Sequence, residues 1–116
     1  GNTGSYLQYA HARARSILKN TVFTQDELID VRPEDRLLVR KMGEYSEIIE
    51  LTVRTLEPHR ICSYLFELAQ EFNRYYEKNR VIGSEHETNR AGLVARYAHI
   101  LGNGLAILGI AAPEKM

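Results

Sequence analysis

Two pairs of residues in this sequence combine type and spacing in a way that suits a chemistry. Tyr9 precedes Arg13 by four positions and Tyr76 precedes Arg80 by four, the separation that brings side chains together on one face of a helix. An exposed tyrosine offers a flat ring on which a nucleobase can stack. A neighbouring guanidinium can stack as well, or bond to a phosphate or a base edge. Burial of the ring in a core is the competing reading, and for Tyr76, one turn from Phe72, it weighs as heavily.

The other reactive residues suit catalysis poorly. His86 lies between Glu85 and Glu87, but sequence neighbours diverge on a helix and no second histidine stands four residues away to complete a metal site. His11, His59 and His99 are scattered, so a surface or capping role is expected of each rather than that of a general base. Cys62 is the only cysteine, which excludes an intramolecular disulfide and favours a reducing cytoplasm; it reads as a small buried hydrophobe. The glycines at 1, 4, 102 and 104 do not form a phosphate loop. Gly102 and Gly104 predict instead the close approach of another segment, at a cost of about 1 kcal/mol each relative to alanine.

Charge separates these readings further. Fifteen basic and fifteen acidic residues give a net charge of zero, which argues against a phosphate-binding surface when taken as a total. The distribution points the other way. Residues 1–20 contain Arg13, Arg15 and Lys19 and no acid, whereas residues 21–57 hold nine acids against five bases. A local basic stripe of this kind is often only a solvated helix face, so it carries weight only together with the aromatic residues.

The elements that must position these residues are helical. Leu7, Ala10, Ala14, Ile17 and Leu18 recur at helical spacing, and Tyr6, Tyr9, Arg13 and Ser16 fall on a different face of the same helix. Thr21 to Arg32 reads as a connector across the surface. Pro33, Glu34 and Asp35 predict a first helical turn, with Leu37, Leu38 and Met42 facing inward. Gly43 interrupts, and Tyr45, Ile48, Ile49, Val53 and Leu56 set up a new stripe. Pro58 starts a helix whose inward residues are Ile61, Leu65, Leu68, Phe72 and Tyr75. Arg80 to Gly83 breaks it, and Ser84 with Glu87 has the form of a capping box. Val94, Tyr97, Ala98, Leu101, Leu105 and Leu108, beside Leu93, Ile100 and Ile107, make the last helix apolar over a wide face, as suits the centre of a bundle. Gly109 and Pro113 then end it.

With 116 residues and 44% hydrophobic residues, the chain fits one soluble domain that buries roughly 65% of its unfolded surface. No run is long and apolar enough for a membrane span, and the first residues lack the layout of a signal peptide. The expected fold is an all-α bundle of about five helices. Composition and periodicity stop there, because helical bundles serve many functions.

Longer stretches identify a resemblance. The opening Gly1-Asn2-Thr3-Gly4-Ser5-Tyr6-Leu7-Gln8-Tyr9-Ala10-His11-Ala12-Arg13 is similar to the junction between the catalytic and anticodon-binding domains of arginyl-tRNA synthetases. Leu56-Glu57-Pro58-His59-Arg60, Tyr64-Leu65-Phe66-Glu67-Leu68-Ala69 with Phe72, and Arg80-Val81 with Arg90 follow that family in order. The ending Leu108-Gly109-Ile110-Ala111-Ala112-Pro113-Glu114-Lys115-Met116 resembles its terminus. The resemblance implies a DALR-type anticodon-binding domain over residues 1–116, with 1–20 a junction helix from the catalytic domain and 33–116 the bundle. It implies a class I parent that joins arginine to its tRNA using ATP with magnesium, with no cofactor in this part. It also implies an upstream catalytic domain of the same chain as partner, Met116 as the natural end, and a cytoplasmic location.

The same resemblance implies tRNA contacts at Tyr9, Arg13, Lys19, Tyr76, Arg80 and Met116. Tyr76 and Met116 would flank an unstacked base, and Arg13, Lys19 and Arg80 would meet phosphates or base edges. Ser5 stands where the family commonly has proline, and Arg80 where some relatives carry an aromatic residue, so the base that Arg80 meets stays open. Two other classes compete. A helical protein-interaction or dimerisation domain would use the broad apolar last helix, and a small metal enzyme would rest on Glu85, His86 and Glu87 alone.

Overall fold

The computed structural model describes residues 3–21, 29–110, 112 and 113. Five α-helices form there: α1 (Thr3–Lys19), α2 (Arg36–Gly43), α3 (Tyr45–Thr55), α4 (His59–Lys78) and α5 (Glu87–Ile107), with a 3-10 turn at Pro33–Asp35 ahead of α2. No strand occurs among the described residues, so the expected all-helical bundle of about five helices is observed. No described helix is long and apolar enough to cross a membrane.

The core sits where α1, α4 and α5 meet. The predicted stripe of α4 is buried throughout, at Ile61, Leu65, Leu68, Phe72 and Tyr75. Val94, Tyr97, Ala98, Leu101 and Leu105 of α5 and Leu7, Ala14 and Ile17 of α1 close over it. Each large apolar side chain fully withdrawn from water contributes about 1.5–3 kcal/mol, so these three helices hold the bundle. The wide apolar face of α5 is explained by its neighbours, since α1, α2 and α4 all pack on it.

The two glycines of α5 let those neighbours approach. A Cβ on Gly104 would stand 2.6 Å from Cδ1 of Leu65 in α4, and one on Gly102 would stand 3.2 Å from Nε2 of His11 in α1. Both sites therefore bear out the expected close approach. The helix closes as the sequence predicts: Gly109 takes φ 75°, the Ile110 N–H donates to the Leu105 carbonyl (2.8 Å) and the Gly109 N–H to the Ala106 carbonyl (3.0 Å). These are the two bonds of a Schellman closure, which needs a left-handed residue where glycine stands.

The stripes of the outer helices were only half correct. Leu38 and Met42 point inward, but Leu37 is 62% exposed, and Val53 and Leu56 are 70% and 84% exposed; at the end of α5, beyond its packed neighbours, Ile107 is 51% exposed. α3 packs mainly on α4 and α2, with the Tyr45 hydroxyl donating to Asn103 Oδ1 of α5 (2.5 Å), so its inner face is Tyr45, Ile48, Ile49 and Thr52, and Val53 lies a further 100° round. Leu56 caps α3 in a left-handed conformation (φ 55°) that reverses the chain toward Pro58. A non-glycine residue pays roughly 1–2 kcal/mol for that conformation.

Helix starts shifted slightly. Pro33 opens the 3-10 turn rather than α2 itself, and Pro58 immediately precedes α4. The capping box at Ser84 does not form as expected. The Ser84 hydroxyl accepts from the His86 N–H (3.0 Å), the Glu87 carboxylate accepts from the Gly83 N–H (2.6 Å), and α5 begins at Glu87 itself. Cys62 is partly buried against the core. Of the predicted connector, residues 22–28 lie outside the described residues; its end is tied to α5 by Asn89, which exchanges two hydrogen bonds with the Asp30 backbone (2.7 and 2.9 Å).

Candidate nucleic-acid interface

The aromatic residues predicted from spacing form a ladder that runs from the core to the surface. Tyr97 of α5, only 1% exposed, stacks on Phe72 of α4 with ring centroids 4.0 Å apart and planes 7° from parallel. Phe72 in turn stacks on Tyr76 at 5.7 Å and 14°. The Arg13 guanidinium of α1 lies over the Tyr76 ring, 5.2 Å from its centroid. Helical geometry places Phe72 one turn before Tyr76, and packing of α1 on α4 brings Arg13 across. Burial raises the Tyr97 pKa above the ordinary tyrosine value, so the ladder's inner ring stays neutral through the physiological range.

Asn73 fixes the arrangement between the two helices. Its Oδ1 accepts from Arg13 Nη1 (3.4 Å), and its Nδ2 donates to the Tyr6 hydroxyl (3.2 Å). Tyr6 also packs on Phe66, with centroids 5.1 Å apart and planes tilted 46°. The surface therefore shows a half-buried Tyr76, a guanidinium held over it, and the 62% exposed ring of Tyr9 on the same side of α1 as Arg13. A cation held on an aromatic ring presents both charge and a flat face, which is what an unstacked base with its phosphate can use.

Arg13 and Tyr76 join the two predicted pairs across helices, so the contact runs between α1 and α4. Arg80 does not continue α4: the helix ends at Lys78 and Asn79 is extended (φ −131°, ψ 96°), so four residues past Tyr76 is no longer one helical turn. Arg80 Nε donates to the Ile82 carbonyl in the following loop (2.9 Å). Tyr76 and Arg80 nevertheless line one surface recess of about 430 Å³, together with Glu77 and Lys78.

Lys19 stands apart from this cluster. Six residues beyond Arg13, it lies about 120° away around α1 and lines a different recess, the groove between α1 and α5, of about 680 Å³, with His11, Arg15 and His99. His11, for which a surface or capping role was expected, is buried. Its Nδ1 donates to the Pro113 carbonyl (2.7 Å), tying α1 to the segment after α5. Met116 lies outside the described residues.

Two positioning residues escaped the spacing argument. Asn73 is a polar residue beside the apolar face of α4, and its role shows only once α1 is in place. Arg90, which the resemblance includes but spacing does not single out, is the second. Its Nη1 donates to the Arg80 carbonyl (2.6 Å) and the Ser84 hydroxyl (3.1 Å), and its Nη2 lies 3.4 Å from Glu34, so it braces the loop that carries Arg80. Glu34 is held ionised by backbone hydrogen bonding, with Arg32 and Arg90 beside it, which lowers its pKa. Among the described residues no three His, Cys, Asp or Glu side chains gather as metal ligands.

Comparison with known proteins is consistent with this geometry. Residues 7–116 match the family described as DALR anticodon binding domain. The chain is 42% identical to an arginine–tRNA ligase of Frankia casuarinae over all of its own length and 21% of the relative's. It is 43% identical to one from Geobacter metallireducens, over 96% of the chain and 22% of the relative. In structure it is similar to part of the Thermus thermophilus arginyl-tRNA synthetase, with a TM-score of 0.87 and 33% identity over 100% of this chain and 21% of that one. The chain thus spans about a fifth of the length of the relatives it matches.

Proposed function

The chain belongs to the family of DALR anticodon-binding domains, and from that premise we propose that it recognises the anticodon of the tRNA for arginine as the C-terminal part of an arginine–tRNA ligase. In this reading, attachment of arginine to the tRNA with ATP and magnesium belongs to the catalytic domain of the same chain, in the cytoplasm, and this domain holds no catalytic residue. Its task is to bind tRNA by the anticodon.

The observation that supports this most directly is the ladder of Tyr97, Phe72 and Tyr76 capped by Arg13. A base turned out of the anticodon loop extends that ladder, with Tyr76 and Arg13 as its platform and Tyr9 beside it. Arg13 and Arg80 meet a phosphate or base edge, Lys19 meets the backbone, and Met116 closes on the base from the chain end. Phosphate contacts fix position, and base contacts carry the discrimination.

The test is the affinity of the chain for an anticodon stem-loop RNA carrying an arginine anticodon, against the same RNA with one anticodon base replaced. Tighter binding of the first by roughly tenfold, the worth of about 1.4 kcal/mol, is expected, and Tyr76→Ala should lower that ratio while leaving helicity intact. Equal affinity of the unaltered chain for both RNAs would sink the assignment. A second reading, a protein-interaction or dimerisation domain, draws on the exposed Leu37, Val53, Leu56 and Ile107. Self-association that persists at high salt, without RNA binding, would favour it.

A further inference from the structure

The loop after α4 holds Arg80 both by its backbone and by its side chain. The Arg80 carbonyl accepts from Arg90 Nη1 (2.6 Å), and the next residue, Val81, is buried in the core, so the start of the loop is pinned to the bundle. The Ser84 N–H donates to the Val81 carbonyl (3.2 Å) and the Gly83 N–H to Glu87 Oε1 (2.6 Å), which closes the turn. The side chain then folds back on that turn. Its Nε donates to the Ile82 carbonyl (2.9 Å), and its guanidinium lies against Gly83, where an added Cβ would stand 3.4 Å from Nη2 and 3.7 Å from Cζ. Gly83 has φ 80°, which glycine adopts without strain and other residues rarely do.

Closing the loop accounts for Nε but not for the rest of the guanidinium. Among the described residues, neither Nη group of Arg80 has a hydrogen-bond or ion-pair partner. What remains is a planar, two-pronged donor whose orientation is set by the turn, in the same recess as Tyr76. Glu77 and Lys78 line that recess with opposite charges, so Arg80 alone gives it an excess of positive charge. A phosphate needs little more than a nearby cation, which a flexible lysine supplies as a point charge. A fork oriented in advance suits a ligand whose acceptors stand side by side at a fixed spacing.

We infer that Arg80 reads the edge of an anticodon base that presents two adjacent acceptors, and that Gly83 is the positioning residue that sets its fork. This rests on the anticodon reading and narrows it, since a phosphate is set aside as the partner of Arg80. Parallel N–H bonds to O6 and N7 of guanine are the commonest specific contact that arginine makes with a base. A base turned out of a loop exposes that edge. Gly83 acts through the backbone. An alanine Cβ would meet the guanidinium only at ordinary contact distance, but it would strain the left-handed turn on which the guanidinium rests.

The inference is tested by measuring affinity, across a range of salt, for the arginine anticodon stem-loop and for three RNAs with its anticodon bases replaced one at a time. Arg80→Lys keeps the charge and loses the fork. It should remove the preference at one anticodon position, a roughly tenfold change, and leave the other two positions and the salt slope as they were. Arg80→Ala should do the same. Gly83→Ala should weaken the preference at that same position and add nothing when combined with Arg80→Lys, because it acts through Arg80. Without RNA, the Arg80 Nε–H should exchange slowly with solvent by NMR, and Gly83→Ala should hasten that exchange. A loss spread equally over all four RNAs, with the slope lowered by about 0.7 in Arg80→Ala, would be a phosphate contact and overturns the inference. So do additive losses in the double variant, or an Arg80 Nε–H that exchanges as fast as that of the exposed Arg54. If Arg80→Lys keeps the unaltered chain's preference at all three positions, this inference fails and the anticodon reading stands. If the unaltered chain has no preference at any position, the anticodon reading fails and this one with it. Should Gly83→Ala lose helicity, Arg90→Lys, which releases the Arg80 carbonyl, carries the same expectations.

Discussion

The side of α1 that meets α4 and the side that meets α5 both carry cations, but they hold them differently. Toward α4, Arg13 is fixed over a ring and bonded to an amide, and the ring stands on a stack that reaches the core. Toward α5, Arg15 and Lys19 line an open groove with His11 of the same helix and His99 of α5. A fixed cation on an aromatic platform can distinguish one base from another because its geometry is set before the ligand arrives. Cations along a groove suit a phosphate backbone, whose shape hardly depends on sequence. One acid-free helix in a chain of zero net charge can thus serve discrimination with one side and affinity with the other.

The largest way to break the aromatic side is Phe72→Ala. Phe72 is 2% exposed and stands between Tyr97 and Tyr76, so its removal should cost about 3–5 kcal/mol of stability in urea unfolding. A change below 1 kcal/mol would mean that the ladder is not a rigid extension of the core.

Alkali probes the inner end of the same ladder. Burial, with Tyr6 adding to it, raises the Tyr97 pKa above the ordinary tyrosine value of about 10. The folded chain therefore holds its proton where the unfolded chain has lost it. Stability is complete below pH 10 and falls as the pH rises through the raised value, by about 1.4 kcal/mol per unit over that interval. Unfolding followed at fixed urea across this range should move with pH, and Tyr97→Phe should flatten the slope. An identical slope in that variant would assign the effect to other tyrosines.

Much of this contrast was legible in the sequence. The stripe of α4 was complete because α4 is buried along its whole length, and Gly102 and Gly104 announced close approach because nothing else justifies glycine inside an apolar helix. The α3 stripe failed at Val53 and Leu56, since periodicity reports which residues share a face and not how far a neighbouring helix covers it. The Tyr9 and Arg13 spacing put both residues on one side of α1, but Arg13 found its ring on α4. Asn73, His11 and Arg90 stayed hidden for the same reason: each acts on a residue far away in sequence, and spacing along one helix carries no information about such a partner.

A smaller effect separates the bracing of Arg13 from its ring contact. Asn73→Ala removes both amide bonds, to Arg13 and to Tyr6. These are partly exposed, and the Arg13 bond is long at 3.4 Å, so the stability cost should stay below about 1 kcal/mol. The guanidinium then loses its lateral restraint and samples more orientations over Tyr76. Discrimination between anticodons should fall by a few-fold while the salt slope is unchanged, because no phosphate contact is lost. A change in slope with discrimination intact would reverse the roles given to the two sides of α1.

The smallest expected change tests the groove side. Alanine at Gly102 would place its Cβ 3.2 Å from His11 Nε2, a contact that a shift of a few tenths of an ångström relieves. The ring has limited freedom because its Nδ1 is bonded to Pro113. Against this, replacing glycine inside a helix gains about 1 kcal/mol. The two effects nearly cancel, so Gly102→Ala should leave the unfolding midpoint close to its original value. What should move is the ring of His11, seen as a change in its imidazole NMR resonances, and with it the floor of the groove. If the groove binds phosphate, RNA affinity falls modestly for every anticodon alike. A clear loss of stability would instead mean that His11 cannot yield, and that the bond to Pro113 holds the ring more firmly than the helix gains from alanine.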